Sequence, residues 1–199
     1  MVKTKTRTNS VFVIDKSSSS ERAYDVYSKL LSDRIIFLKE EINDESANAV
    51  VAQLLLLDQD DQNRPISFYI NSPGGSISDG LAILDTMSYI SAPVNTICIG
   101  CAASMAAVLL SAGKKRASLP NSWVMIHEPR TSAIKQTITA TDQEIDTKIL
   151  LKMREQLLNI LCKNTGQSYK KVKKDCERDL WLSSSEAKAY GIIDEIIQK

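Results

Sequence analysis

Residues 66–113 read ISFYINSPGGSISDGLAILDTMSYISAPVNTICIGCAASMAAVLLSAG, and their order decides the fold class. Positions 66–71 form an apolar, strand-like run that stops at the turn sequence Ser72-Pro73-Gly74-Gly75. A helical pattern over 78–90 ends before Pro93, which cannot continue a helix. Positions 94–99 are again strand-like, and Gly100 leads into a small-residue helix over 102–112 that Gly113 closes. Strand, helix, strand, helix predicts an α/β layer with a largely parallel sheet. Such sheets do their chemistry at the carboxyl ends of the strands.

The same alternation extends to both sides. Residues 21–32 read as a helix with Tyr24, Val26, Tyr27, Leu30 and Leu31 turned inward. A short strand is expected at 34–38, a helix at 44–57 and a polar turn at 58–64. Downstream, 122–126 reads as a strand ending at His127-Glu128-Pro129, followed by a glycine-free stretch, 130–140. A long helix over 141–163 opens on Thr141-Asp142-Gln143-Glu144, which has the form of a capping box. It carries Ile145, Ile149, Met153, Leu157 and Leu161 at i, i+4 spacing and stops at Gly166. At ~1.5 Å per residue it is about 33 Å long, more than one small domain can cover. Docking against another subunit's equivalent helix is its expected use, and a surface helix half buried on its own sheet is the plainer alternative. Residues 1–20 form a basic, hydroxyl-rich leader ending in the four serines 17–20, and 21–199 is expected to be one domain.

Composition narrows the function classes. The chain has 199 residues, 43% of them hydrophobic, and a net charge of +1, so there is no electrostatic footprint for nucleic acid or an anionic membrane. Its longest apolar stretch, 97–113, is too short and too interrupted to span a bilayer. Four cysteines, Cys98, Cys101, Cys162 and Cys176, are too sparse for a disulfide framework and point to the cytoplasm; an imported organellar protein is the alternative. Cys98 and Cys101 have redox-pair or zinc-knuckle spacing, but in an apolar run they read as ordinary buried thiols. The single histidine, His127, excludes multi-histidine metal sites, and no metal is expected. Any imidazole chemistry must use that one residue.

A Ser/His/Asp hydrolase needs a hydroxyl at a strand-to-helix junction, a base within reach, a carboxylate and oxyanion donors. Ser104 lies at such a junction in Ala102-Ala103-Ser104-Met105-Ala106-Ala107, although alanines stand where the G-x-S-x-G elbow has glycines. Pro73-Gly74-Gly75 offers bare backbone after a neighbouring strand. His127 ends its own strand. Asp175, Glu177 and Asp179 all remain candidates for the carboxylate, since spacing does not choose between them. Each piece alone also has a structural reading: a packing serine, a tight turn, a core histidine.

Taken in order, Phe68 through Gly75, Ala102-Ala103-Ser104-Met105, Leu119-Pro120-Asn121-Ser122, Val124 through His127 with Pro129, and Glu177-Arg178-Asp179 resemble the proteolytic subunits of the Clp proteases. Arg22-Ala23-Tyr24-Asp25 and Glu186-Ala187-Lys188 extend the resemblance to nearly the whole chain. It implies a crotonase-like α/β fold with a protruding handle helix, matched by 141–163, and two stacked seven-membered rings, made of one or more kinds of subunit, around a closed chamber. It further implies Ser104 as nucleophile, His127 as general base and Asp179 as the orienting carboxylate, with Asp175 second. Gly75 and Met105 would be the oxyanion donors, and Arg178 would pair across the ring interface.

An ATP-driven AAA+ unfoldase would feed unfolded polypeptides to such a chamber, while short peptides would enter unaided. Unfoldase loops would dock on Tyr69, Tyr89, Ile97, Ile99, Leu119 and Ile197. The chain has no Walker A motif, so ATP belongs to that partner and no cofactor is expected. Departures stand at Ser67 and Ala117, in place of aromatic pocket residues, at Ala106, in place of a glycine, and at 130–136, in place of a glycine-rich segment. They imply weakened docking and a subunit that works beside a more typical paralogue. Two other readings compete: a non-catalytic ring subunit, and a crotonase-type acyl-CoA enzyme.

Overall fold

Asp25 caps a helix rather than lying within one. In the computed structural model, which describes residues 12–15, 22–130 and 139–198, its carboxylate accepts from the backbone N–H groups of Tyr27 and Ser28 at 3.0 and 3.1 Å. Helix α1 therefore spans Val26–Ser32. The residues before it form β2 (Arg22–Asp25), paired antiparallel with β1 (Phe12–Asp15). This corrects the helix expected over 21–32. It also corrects the inward stripe, because α1 buries none of its residues and Tyr27 is 49% exposed. Most of the leader lies outside the described residues.

The remaining elements follow the alternation read from the sequence: β3 (Ile35–Leu38), α2 (Asp44–Asp60), β4 (Ile66–Ser72), α3 (Ile77–Tyr89), β5 (Val94–Ala103), α4 (Met105–Ser111), β6 (Arg116–Ser118) and β7 (Trp123–Ile126). After them come α5 (Ala140–Thr165), α6 (Tyr169–Cys176), β8 (Leu180–Ser183), α7 (Ser184–Tyr190) and β9 (Glu195–Ile196). The strands β3-β4-β5-β6-β9 lie side by side and parallel. Strand β7 joins the other end of β5 in parallel and β8 antiparallel, giving a mixed α/β sheet.

Strand β5 runs four residues beyond its expected end at 99 because it carries a bulge. Ile70 of β4 faces Cys98, whereas Ser72 faces Ala102, so β5 spends two extra residues over that interval. Gly100 supplies a φ of +80° there. Side chains satisfy the displaced backbone: Gly100 N–H donates to Ser122 Oγ at 3.1 Å and Cys101 N–H to Asn71 Oδ1 at 3.2 Å. The bulge bends β5, so its first half pairs with β6 and its last three residues with β7.

Behind the sheet, all seven residues of α4 are buried: Met105, Val108, Leu109 and Leu110 join the apolar core, and Ala106, Ala107 and Ser111 add little bulk. The long helix α5 behaves as two halves. Leu157, Leu158 and Leu161 are buried, while Ile145, Ile149 and Leu151 are about half exposed. Its N-cap is Thr139, whose Oγ1 accepts from Asp142 N–H at 3.1 Å. The box expected at Thr141 does not form, and Glu144 instead pairs with Lys148 one turn on. Among the described residues no helix is long and apolar enough to cross a membrane.

Arg116 ties these layers together. Its Nε donates to Asp194 Oδ2 at 3.0 Å and its Nη2 contacts Asp194 Oδ1, while Nη1 reaches the carbonyls of Asn164 at the end of α5 and Gly191 beyond α7. Asp194 is held below the ordinary carboxylate range chiefly by that guanidinium. Charge-assisted bonds with two otherwise orphaned carbonyls predict that Arg116→Ala lowers unfolding free energy by about 2–4 kcal/mol, with Arg116→Lys recovering only part. Urea unfolding of the three proteins checks this.

Candidate active site

Three neighbouring strand ends bring the site together. Ala103 of β5 lies opposite Met125 of β7 in parallel register, and Ser104 N–H donates to the Met125 carbonyl at 2.8 Å. Ile126 lies opposite Leu180 of β8 in antiparallel register. Continued by one residue, that register sets His127 beside Asp179. Ser104 Oγ lies 2.7 Å from His127 Nε2. His127 Nδ1 lies 3.2 Å from Asp179 Oδ1. Asp175 is turned elsewhere, accepting from the Tyr190 hydroxyl at 2.9 Å and pairing with Lys171. Arg178, beside Asp179, is exposed.

Ser104 adopts φ +56° and ψ −123°, one of two non-glycine residues with positive φ among the described residues. Such a conformation costs on the order of 1–3 kcal/mol and needs its surroundings to hold it. It presents the hydroxyl at a sharp strand-to-helix turn, the elbow geometry, without the elbow's glycines. The glycines are supplied by a neighbouring strand. At Gly74, φ is +90°, and a Cβ would lie 2.6 Å from the Ala103 carbonyl oxygen and 2.7 Å from Ser104 Cβ.

The glycine turn is clamped on its far side. Ile42 N–H donates to the Gly74 carbonyl and Ser76 N–H to the Ile42 carbonyl, both at 2.8 Å. In this parallel bridge the N–H of Gly75 itself faces away from Ile42. Met105 N–H belongs to the first turn of α4, where helical carbonyl partners are lacking. The two amides named as oxyanion donors are thus both left for something else to use.

Ser104 and His127 open onto a cavity of about 240 Å³. Its apolar wall includes Ile77, Met105, Val108, Leu157, Leu158 and Leu161, and its polar edge holds Glu128 and Arg154, which pair at 3.4 Å. Burial of the imidazole, together with the positive charge of Arg130, lowers the His127 pKa below its usual 6.5 against the opposing pull of Asp179 and Glu128. Glu128, Arg130 and Arg154 were not singled out from the sequence as site residues. Glu128 and Arg154 were signalled only by their place next to His127 and on the long helix, and Arg130 also by opening the segment that departs from the resembled family.

Of the positions named for partner docking, Tyr69 lies opposite Ile97 in the β4–β5 register, whereas Tyr89 ends helix α3. Tyr89, Leu119 and Ile197 are exposed and Tyr69 and Ile99 half-buried, whereas Ile97 is only 7% exposed and backs the surface rather than offering it. Phe37 extends the row, stacked on Tyr69 with ring centres 5.3 Å apart. The four cysteines are free thiols. Burial pushes Cys98 up to about 12, which makes it a poor nucleophile or ligand.

A family model, Clp protease, matches residues 18–199. The chain belongs to the Clp protease family. Membership makes it a hydrolase of the serine-type peptidase class. For a Clp-family chain, the tight seating of the glycine turn against the serine predicts a sharp effect of one methyl group. Gly74→Ala should cut Ser104 reactivity toward a fluorophosphonate by on the order of 10²-fold, measured as labelling rate on protein shown by circular dichroism to be folded.

Proposed function

We propose that the chain is the serine endopeptidase subunit of a self-compartmentalised, ATP-dependent protease. The 2.7 Å contact between Ser104 Oγ and His127 Nε2 at a strained turn carries this reading. The Ser104 hydroxyl attacks the scissile carbonyl while its proton passes to His127 Nε2. The developing oxyanion is met by the N–H groups of Gly75 and Met105, each donor of this kind contributing roughly 3 kcal/mol to the transition state. Collapse breaks the C–N bond, and the Nε2 proton leaves with the amine. Water then hydrolyses the acyl-enzyme by the same proton route in reverse. Asp179 orients the imidazole and supports its charged form. No cofactor enters.

The same reading assigns a crotonase-like core in residues 21–199, with the exposed half of α5 as the handle that meets a second ring. Two stacked heptameric rings would close a chamber in which access replaces chemical selectivity. Arg178 belongs to the ring interface, and Tyr69, Tyr89, Ile97, Ile99, Leu119 and Ile197 to the docking surface for an AAA+ unfoldase that delivers unfolded polypeptides in the cytoplasm. One observation favours a second reading, a weakly active or non-catalytic ring subunit beside a typical paralogue: His127 Nδ1 is buried without a well-formed hydrogen bond.

Labelling with a fluorophosphonate separates the two. Specific modification of Ser104, lost in His127→Ala, supports the peptidase, and Ser104→Ala should lower peptide hydrolysis on the order of 10⁴-fold. Absence of labelling in the assembled protein supports the non-catalytic subunit. Because the base acts as neutral imidazole and its pKa is lowered, activity should persist as pH falls to 6.5 and be lost only below it. A rate that stays flat down to about pH 5 contradicts this assignment of the base.

A further inference from the structure

Asp179 Oδ1 has two claimants. One is His127 Nδ1, at 3.2 Å. The other is Arg130 Nη2, which contacts the same oxygen. The distance to His127 is within hydrogen-bond reach, yet the N–H direction misses, and Nδ1 is left buried without a hydrogen-bond partner. A carboxylate that serves a catalytic histidine has to accept from Nδ1–H, because that bond fixes the tautomer and steadies the imidazolium.

We propose that Arg130 is a positioning residue that competes with His127 for the Asp179 carboxylate and thereby governs the protonation and orientation of the imidazole. The inference rests on the peptidase reading for its catalytic consequence, but not for the contact itself.

Three features support competition over a purely structural ion pair. Arg130 follows Pro129, whose ring fixes φ as the chain leaves the site, so its backbone starts from a fixed direction beside His127. Its side chain is 63% exposed, so it packs no core, and among the described residues its polar bond is to Asp179. The oxygen it takes is the one nearest the imidazole, so the guanidinium opposes the base twice, by drawing off the acceptor and by placing a positive charge where imidazolium must form.

The other charges facing His127 leave this contest undecided by themselves. Glu128, next to it in the chain, is paired to Arg154 of α5. Asp179 comes from the turn between α6 and β8. Ser104, from the β5–α4 junction, is uncharged and engages the opposite ring nitrogen. Among the described residues, Arg130 is the remaining cation near the ring that is in contact with its carboxylate.

His127 is the only histidine in the chain, so untagged protein labelled with histidine-¹³Cε1 gives one ring resonance to titrate. In wild type the midpoint should lie below 6.5. In Arg130→Gln it should rise by about half a unit or more, and the rate of Ser104 phosphonylation above the midpoint should increase roughly threefold or more as Nδ1–H gains its acceptor. Arg130→Lys keeps the charge but not the fork, so its midpoint should stay nearer that of wild type. High salt should move wild type toward Arg130→Gln, since the pair is exposed and screened.

A midpoint and labelling rate in Arg130→Gln that match wild type would overturn the proposal, as would a fall in labelling rate. If Ser104 is unlabelled in both proteins while the midpoint still rises, the peptidase reading fails and the hold of Arg130 on Asp179 stands.

Discussion

The position of β7 between β5 and β8 is the constraint on which the rest depends. A strand paired on both edges cannot slide, because a slip of one residue would turn Val124 and Ile126 out of the core and break two ladders at once. Its last residue is followed by the single histidine, its parallel partner ends one residue before Ser104, and its antiparallel partner begins one residue after Asp179. Residues 104, 127 and 179 are far apart in the chain, yet register alone brings them within hydrogen-bond reach. No flexible loop has to find the geometry.

That arrangement places a strained residue where strain is best tolerated. Ser104 sits between the end of β5, whose Ala102 and Ala103 are buried, and α4, buried along its whole length. The backbone around it is committed: Ser104 N–H to Met125, and the Ser104 carbonyl to Ala107 and Val108. Neighbours that cannot relax hold the left-handed φ, and Gly74, having no side chain, can press against the serine. Dense packing around the turn is therefore what holds the exposed hydroxyl in place.

Much of this was legible in the sequence, and where it was not the reasons are local. The alternating elements over 66–113, the long helix, and the placing of Ser104 and His127 at strand ends followed from periodicity and turn residues. The end of β5 did not, because Gly100 looks like a stop and is a bulge; only Asn71 and Ser122, distant in the chain, satisfy the backbone it displaces. Asp25 as a cap was hidden because Tyr24 and Tyr27 also fit a helical stripe. The carboxylate was undecidable by spacing, since Asp175 and Asp179 differ by one helical turn and only the β7–β8 register separates them. Arg130 was visible as a departure from the resembled family, but its target was not.

The surface left uncovered carries its own consequence. Helix α1 buries nothing, Tyr89 is 83% exposed, and Leu55, Leu56, Trp123 and Trp181 are each close to half exposed, as are Ile145 and Ile149 on the free half of α5. Isolated apolar side chains need no explanation, but Ile145 and Ile149 lie one helical turn apart on α5 and form an exposed apolar row. A net charge of +1 supplies little repulsion to keep copies apart. Charge and surface thus point the same way, toward burial of these faces against other subunits, and the assembly proposed for the chain would bury them.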